Sequence, residues 1–559
     1  MTTAGHTAAA GACFDFIVVG AGAAGCLLAN RLSADPAHRV LLIEAGGRDD
    51  SVWFRIPVGY RHTIGNPASD WCYAGEPEPR LNGRALRHPR GKVLGGSTAI
   101  NGMVAIRGQA ADYDGWRDLG LPGWGWSEVL PFFRRHEGHF GGESAAHGAA
   151  GEWQVAAPRV HWPVLDAVQA AAVAAGIPAV NDFNAGDNEG VGPIHVNQKN
   201  GQRWSAADAF LKPVLQRPNL TVATHAQVER VLFDGARACG VTWFAEGAAH
   251  QAQASREVIL AAGAMASPLI LMRSGMGPAA HLAEHGIAPR LDRPGVGANL
   301  QDHLQLALRY RLSGARTLNA AMNSRLATAA MALRYALTRR GPLTMAPCQL
   351  GLFARSSPGV ARADLGYNVL AFSRPAIDAP FDPYPGLTMI AYDLRPTSRG
   401  TLRLGGPGVG QAPSIRMNYL ATERDRQVAI DAIRLTRRIM AGSAMAAYQP
   451  IETWPGPAVR DDDDAALLNA VAEKANTIFH PVGTARMGPA GDPLAVVDAE
   501  LRVIGLQGLR VIDASVMPLI VSGNTATPTV MIAEKGAAML LASAHASPRH
   551  APQALQLAA

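Results

Sequence analysis

Residues 14–47, FDFIVVGAGAAGCLLANRLSADPAHRVLLIEAGG, constrain the fold of this chain more than any other stretch. An aromatic and β-branched run meets Gly20, Gly22 and Gly25, a helical pattern follows, and a second apolar run closes on Glu44 and Ala45. The order predicts a strand–helix–strand unit in which each glycine has a mechanical task. Gly20 makes the tight turn, Gly22 lets backbone approach a diphosphate, and Gly25 lets the helix lie close on the sheet. Unpaired amides and the positive dipole end at the helix start favour such an anion. Glu44 is placed to accept from a ribose diol and would repel a 2′-phosphate. A glycine-rich turn without a ligand is the competing reading, and the stretch alone does not separate FAD from NAD.

The chain has 559 residues, 48% hydrophobic and 17% charged, enough for two or more cooperating domains with full cores. Its net charge of +6 rests on scattered arginines, since only five of the 51 basic residues are lysines. No basic cluster interleaved with aromatics is present, so a nucleic-acid partner is not expected. Five cysteines, odd in number and lacking CxxC or metal spacing, point to a reduced, cytoplasmic setting without a bound metal. The acidic run 461–464 precedes a helical pattern, where carboxylates are stabilised by the helix dipole. No apolar run approaches the ~20 residues of a membrane span. Residues 1–13 read as a floppy leader without signal-peptide regions, and residues 546–559 as a second disordered tail.

A second loop lies in residues 90–107, RGKVLGGSTAINGMVAIR. Its Gly95, Gly96 and Ser97 amides can wrap a phosphate or ribityl chain, and Asn101 and Gly102 offer polar atoms to a ring system. By composition alone it would pass for an ordinary turn. Together with residues 263–277, GAMASPLILMRSGMG, and the glycine fingerprint, it resembles the glucose-methanol-choline (GMC) oxidoreductase family. The resemblance spans residues 14–541 and leans toward the choline dehydrogenase and alcohol dehydrogenase branch. It implies an α/β fold: a Rossmann-like FAD-binding domain assembled from residues 14–160, 200–303 and 477–545. Residues 161–199 and 304–476 would form an inserted substrate domain of antiparallel sheet plus helices. The FAD contacts so implied are Gly20, Gly22, Ala23, Ala24, Gly25, Glu44, Ala45, Val93, Gly95, Ser97, Asn101, Gly102, Met103 and Val104. Val228, through its backbone, Ala262, Asp513, Ala514, Asn524 and Thr525 complete them.

The same resemblance singles out the base. A lone histidine is usually structural, but residues 479–488, FHPVGTARMG, match the block where the family keeps its active-site histidine, here His480. In residues 522–530, SGNTATPTV, Asn524 matches the second catalytic position, although an Asn that only shapes a turn is the plainer reading. Thr527 is expected to cap the following helix, with Pro528 at its first position. His303, in the 299–303 segment NLQDH, reads as structural. The implied reaction is oxidation of a primary alcohol to an aldehyde. Neutral His480 takes the hydroxyl proton as hydride leaves for flavin N5, Asn524 holds the oxygen, and electrons pass to a quinone-like acceptor or O2. Some members link FAD through a histidine where this chain has Ile100, so the cofactor is expected to be non-covalent. Other uses of the fold are a hydroxynitrile lyase, a photochemical decarboxylase or a flavin-binding protein without alcohol chemistry; an NAD-dependent dehydrogenase is the remaining enzyme alternative. No acidic residue can be assigned to a pocket that would receive choline. Residues 323–340 read as an amphipathic helix whose arginines could lie on a membrane surface, with a solvated helix face as the simpler account.

Overall fold

The computed structural model describes residues 12–546, 549 and 550. Two seven-stranded sheets organise the described chain. In the first, Cys13–Val19 lies between Val40–Ile43 and Ala248–Leu260, parallel to both, and Leu220–Ala223 extends the parallel edge. Leu509–Val511 pairs parallel with Ala248–Leu260 from far along the chain. Gln227–Asp234 and Arg237–Ala245 complete the sheet as antiparallel strands. Phe16, Ile17, Val18, Leu41 and Leu42 are fully buried, as expected of strands covered on both faces. Each such side chain contributes roughly 1.5–3 kcal/mol by leaving water.

The Ala23–Leu32 helix follows the first strand and packs against the final helix, Ala526–Ala546. A Cβ built on Gly25 would sit 1.7 Å from the Gly20 carbonyl oxygen, so no other residue lets this helix lie so close to the strand end. The final helix begins at Ala526, two residues before the expected first position at Pro528, so Thr527 and Pro528 lie inside its first turn and Thr527 is not the cap. Proline is tolerated there because the first-turn amides have no helical acceptor. Of the two strands expected in 498–518, only Leu509–Val511 forms. Residues 497 and 502 make isolated bridges instead.

The second sheet is antiparallel throughout, in the order Ile451–Trp454, Leu304–Arg311, Gly386–Asp393, Leu365–Leu370, Leu350–Ala354 and Gly190–Pro193. Asn476–Thr477 also pairs with Leu304–Arg311. Thr401–Arg403 pairs with Ser414–Arg416 as a separate hairpin, closed locally by a glycine-rich turn. The Glu423–Met440 helix starts at Thr422, whose hydroxyl accepts from the Asp425 amide, and covers the sheet with a buried face that includes Val428, Ile433 and Ile439. Asp463 caps the Asp464–Lys474 helix through the Ala466 amide, which accounts for the acidic run. Residues 1–11, 547–548 and 551–559 of the two expected tails lie outside the described residues. Cys13 belongs to the first strand, Ala546 closes the final helix, and Arg549 pairs with Asp15 at 2.7 Å.

Candidate active site

A cavity of about 1010 Å³ runs between the two sheets. Its floor is the carboxyl end of the parallel strands, where open α/β sheets bind their ligands. Gly20, Gly22, Ala23 and Ala24 line one end with Glu44, Ala45, Val228 and Ala262. Ser97, Asn101, Gly102, Met103 and Val104 line its length, Asp513 and Ala514 line the strand floor, and Asn524, Thr525 and His480 close the other end. Three of the expected contacts are not on the wall. Gly25 sets the helix–strand approach, Val93 is buried beside Phe54, Ala99 and Ile100, and Gly95 donates its amide to Ala21 O at 2.8 Å. They shape the backbone that others present to the cavity.

The residues fit a dinucleotide. The Ala23–Leu32 helix has no side-chain cap and no acid in its first turn, so its leading amides face the cavity unpartnered. Gly22 and Gly96 lie face to face: a Cβ on Gly96 would come within 2.7 Å of Gly22 Cα, which leaves a backbone-lined slot beside those amides. Glu44 accepts from the Ala21 and Gly46 amides, each at 2.8 Å. Burial nevertheless pushes its carboxyl up to about 7, and each oxygen keeps a lone pair for a hydroxyl donor. Asp513 behaves differently. Its carboxylate accepts from Gly263 N, Ser267 Oγ, Ser515 N and Ser515 Oγ at 2.6–2.8 Å, so it holds the turn at Gly263 and has no lone pair left for a ligand.

At the other end His480 and Asn524 meet, with Asn524 Nδ2 2.9 Å from His480 Nε2. On the opposite side of the imidazole, His480 Nδ1 is 3.0 Å from Nδ1 of His303, and His303 Nε2 is 3.1 Å from the Leu394 carbonyl oxygen. A carbonyl only accepts, so His303 carries its proton on Nε2 and its Nδ1 must accept. His480 therefore donates from Nδ1, and its Nε2 presents a lone pair to the cavity. Burial is the main cause that holds His480 well below its ordinary pKa, with His303 and Arg90 adding to it. Burial likewise lowers His303 to about 4. Both rings are neutral at physiological pH.

Residues that the sequence did not single out build this geometry. Asp302 accepts from the His480 amide at 2.7 Å, from the Tyr419 hydroxyl at 2.6 Å and from the Thr477 hydroxyl, which fixes the loop entering the site. Arg90 donates to Phe479 O at 2.6 Å, and Phe479 itself takes φ +72°, a conformation costly for a bulky side chain and held here by its neighbours. Asp112 accepts from Ser522 N at 2.6 Å and Ser522 Oγ at 2.8 Å, which anchors the loop that carries Asn524. The Asn524 amide oxygen is buried with no chain partner. None of these acids sits in a motif of its own; the signal was only adjacency, Asp302 to His303 in sequence.

Beyond the His480–Asn524 pair, Met103, Val104, Leu370, Phe372 and Ile390 give the cavity wall an apolar stretch interrupted by Cys348, Asn368 and Thr388, while Arg87, Arg90, Gln305 and Arg374 also line the cavity. Among the described residues no group of three or more acidic, cysteine or histidine side chains could hold a metal ion, and all five cysteines are free. No helix of the described residues is long and apolar enough to cross a membrane.

Two family models, both described as GMC oxidoreductase, match residues 14–305 and 396–533. The alcohol dehydrogenase [acceptor] of Pseudomonas putida is 40% identical over 532 residues, covering 94% of this chain and 96% of its own. The oxygen-dependent choline dehydrogenase of Brucella melitensis biotype 1 is 38% identical over 527 residues, covering 94% and 95%. Among solved structures, pyridoxine 4-oxidase from Mesorbium loti superposes with a TM-score of 0.84 at 32% identity, covering 96% of this chain and 100% of its own. The chain therefore belongs to the GMC oxidoreductase family of FAD-dependent enzymes, beside its choline and alcohol dehydrogenases.

Proposed function

We propose that this chain oxidises a primary alcohol to an aldehyde, with His480 as the base and Asn524 as the group that holds the substrate oxygen. The observation that carries the reading is the proton order along Leu394, His303 and His480, which leaves the His480 Nε2 lone pair directed at the cavity. FAD, when bound, supplies the acceptor for the hydrogen and electron pair that leave the alcohol carbon. The chain supplies the rest. The hydroxyl donates to His480 Nε2 and accepts from Asn524 Nδ2, taking the place of the direct contact between the two. The O–H proton passes to Nε2 as the carbon–hydrogen bond breaks, so no free alkoxide forms. Electrons leave for a quinone-like acceptor or O2.

Residues 14–160, 200–303 and 477–545 are assigned to cofactor binding. Residues 161–199 and 304–476 are assigned to the substrate wall, in keeping with the second sheet. Ala23, Ala24, Ala45, Ser97, Asn101, Gly102, Met103, Val104, Val228, Ala262, Ala514 and Thr525 would contact FAD where they line the cavity. Ile100 carries no nucleophilic nitrogen, which supports non-covalent FAD.

The substrate is assigned as an apolar alcohol. The acids on the cavity wall are Glu44, Asp378, Glu473 and Asp513. Glu44 and Asp513 sit on the strand floor, Asp378 is exposed and paired with Arg87 at 2.9 Å, and Glu473 is exposed. None faces the apolar wall, so a quaternary ammonium would enter without a counter-charge. Anaerobic bleaching of the FAD-loaded protein tests both points. Hexan-1-ol should reduce the flavin faster than choline, and His480→Ala should keep the flavin spectrum while slowing bleaching about 10²–10⁴-fold. Unchanged bleaching in the variant overturns the base, and a preference for choline overturns the substrate class.

A further inference from the structure

The Arg325–Thr338 helix is built inside out for a surface helix. Its inward face is thin, with Tyr335 buried and Met331 half-buried against the apolar cluster of Met103, Val104, Cys348 and Phe372. Its outward face carries Leu326, Leu333 and Leu337, exposed to 85%, 62% and 75%. Spaced seven and four residues apart, the three leucines fall on one line directly opposite Tyr335. They are the three most exposed large apolar side chains among the described residues, and water-facing leucines concentrated on one helix mark an interaction surface.

The charges around this line are of one sign. Between Asp302 and Asp364 the chain has nine arginines and no acidic residue or lysine. Arg325, Arg334, Arg339 and Arg340 flank the leucines, all exposed, and none forms an ion pair among the described residues. A second protein would have to bring both a matching apolar groove and a ring of carboxylates. An anionic lipid surface offers both at once, a phosphate layer for the arginines and acyl chains beneath it for the leucines.

We propose that the Arg325–Thr338 helix lies in the headgroup layer of an anionic membrane and docks the enzyme there, leucines inward and arginines at the phosphates. The helix ends at Thr338, and Pro347 and Cys348, about ten residues on, line the cavity. Docking brings that wall to the bilayer, the phase into which an apolar alcohol and a quinone-like acceptor partition.

The test uses the full chain loaded with FAD and sedimented with two kinds of vesicle, phosphatidylcholine alone or phosphatidylcholine with phosphatidylglycerol in equal parts. Wild type should pellet with the anionic vesicles and be released by salt. The triple variant Leu326→Gln, Leu333→Gln, Leu337→Gln should lose on the order of 100-fold in apparent affinity. Arg334→Gln with Arg340→Gln should remove most of the preference for anionic lipid. Turnover of a soluble alcohol with a soluble acceptor should be unchanged in both, which shows that they are folded. Wild type left in the supernatant with both vesicles, or a triple variant that pellets like wild type, overturns the proposal. So does a concentration-dependent dimer that the triple variant dissolves, since the face would then be covered by a second copy.

Discussion

The proposed base works only if the correct nitrogen of His480 carries the lone pair, and that choice is made by His303 and the Leu394 carbonyl behind it. Removing His303 takes away the acceptor that keeps the His480 proton on Nδ1 and one of the influences that lower the His480 pKa. His303→Leu should therefore slow flavin reduction about tenfold or more and move the acidic limb of kcat/KM upward in pH. His303→Asn, whose amide oxygen can accept the same proton, should recover part of the loss. A profile unmoved in the leucine variant would make His303 merely structural. In wild type that limb should lie well below pH 6.5, because an imidazole buried beside another imidazole and Arg90 resists protonation. Ile100 makes its own prediction: acid precipitation should leave all the flavin in the supernatant, and yellow protein in the pellet would mean a covalent link through another residue.

The element that the sequence displayed most fully is the first strand–helix–strand unit, and the structure explains its legibility. Its glycines are demanded by backbone, not by ligand alone, so the pattern survives in the residues themselves. Gly25→Ala should cost about 3 kcal/mol or more, because the new Cβ meets the Gly20 carbonyl and not a yielding side chain. A thermal melt of the FAD-loaded protein, together with its flavin content, checks this. The loop containing Gly95 and Gly96 could be told from an ordinary turn only through the family resemblance, and Gly95 and Val93 serve the wall without lining it. What could not be read was the support. Asp112 anchors the Asn524 loop across 410 residues of chain, and Asp302 reaches Tyr419 across 117. Single acids joined to partners only by folding leave no periodic trace. The start of the final helix was misplaced by two residues because Thr527 and Pro528 form a good cap locally, and tertiary packing overrode it. The 323–340 stretch was legible as a helix, but its outward line proved to be leucine, since nothing in the sequence says which face the body covers.

At the scale of the whole molecule, buried histidines set the response to pH. His88, His136 and His303 are lowered by burial to about 4, 3 and 4. In the unfolded chain they titrate at the ordinary 6.5, so between that value and about 4 the unfolded state takes up protons that the folded state refuses. Stability therefore falls as pH drops through this window. His147 is the reverse case. Despite its burial, Asp182 and Glu137, at 2.8 Å on either side, raise it to about 9. Its contribution is complete below pH 6.5 and is lost as pH rises through about 9. Melting temperature should accordingly decline on both sides of near-neutral pH, and His147→Gln should flatten the alkaline side alone. A melting curve that holds level from pH 6.5 to 4 would contradict the neutral buried rings.

The imidazole of His480 follows a strand of the second sheet, whereas its partner Asn524 sits at the head of the helix packed beside the first. The 2.9 Å between them thus spans the seam of the molecule. Substitutions at Thr477, where that strand pairs with Leu304, should register as lost turnover well before any melt detects them, which makes enzymatic rate the finer gauge of how the halves align.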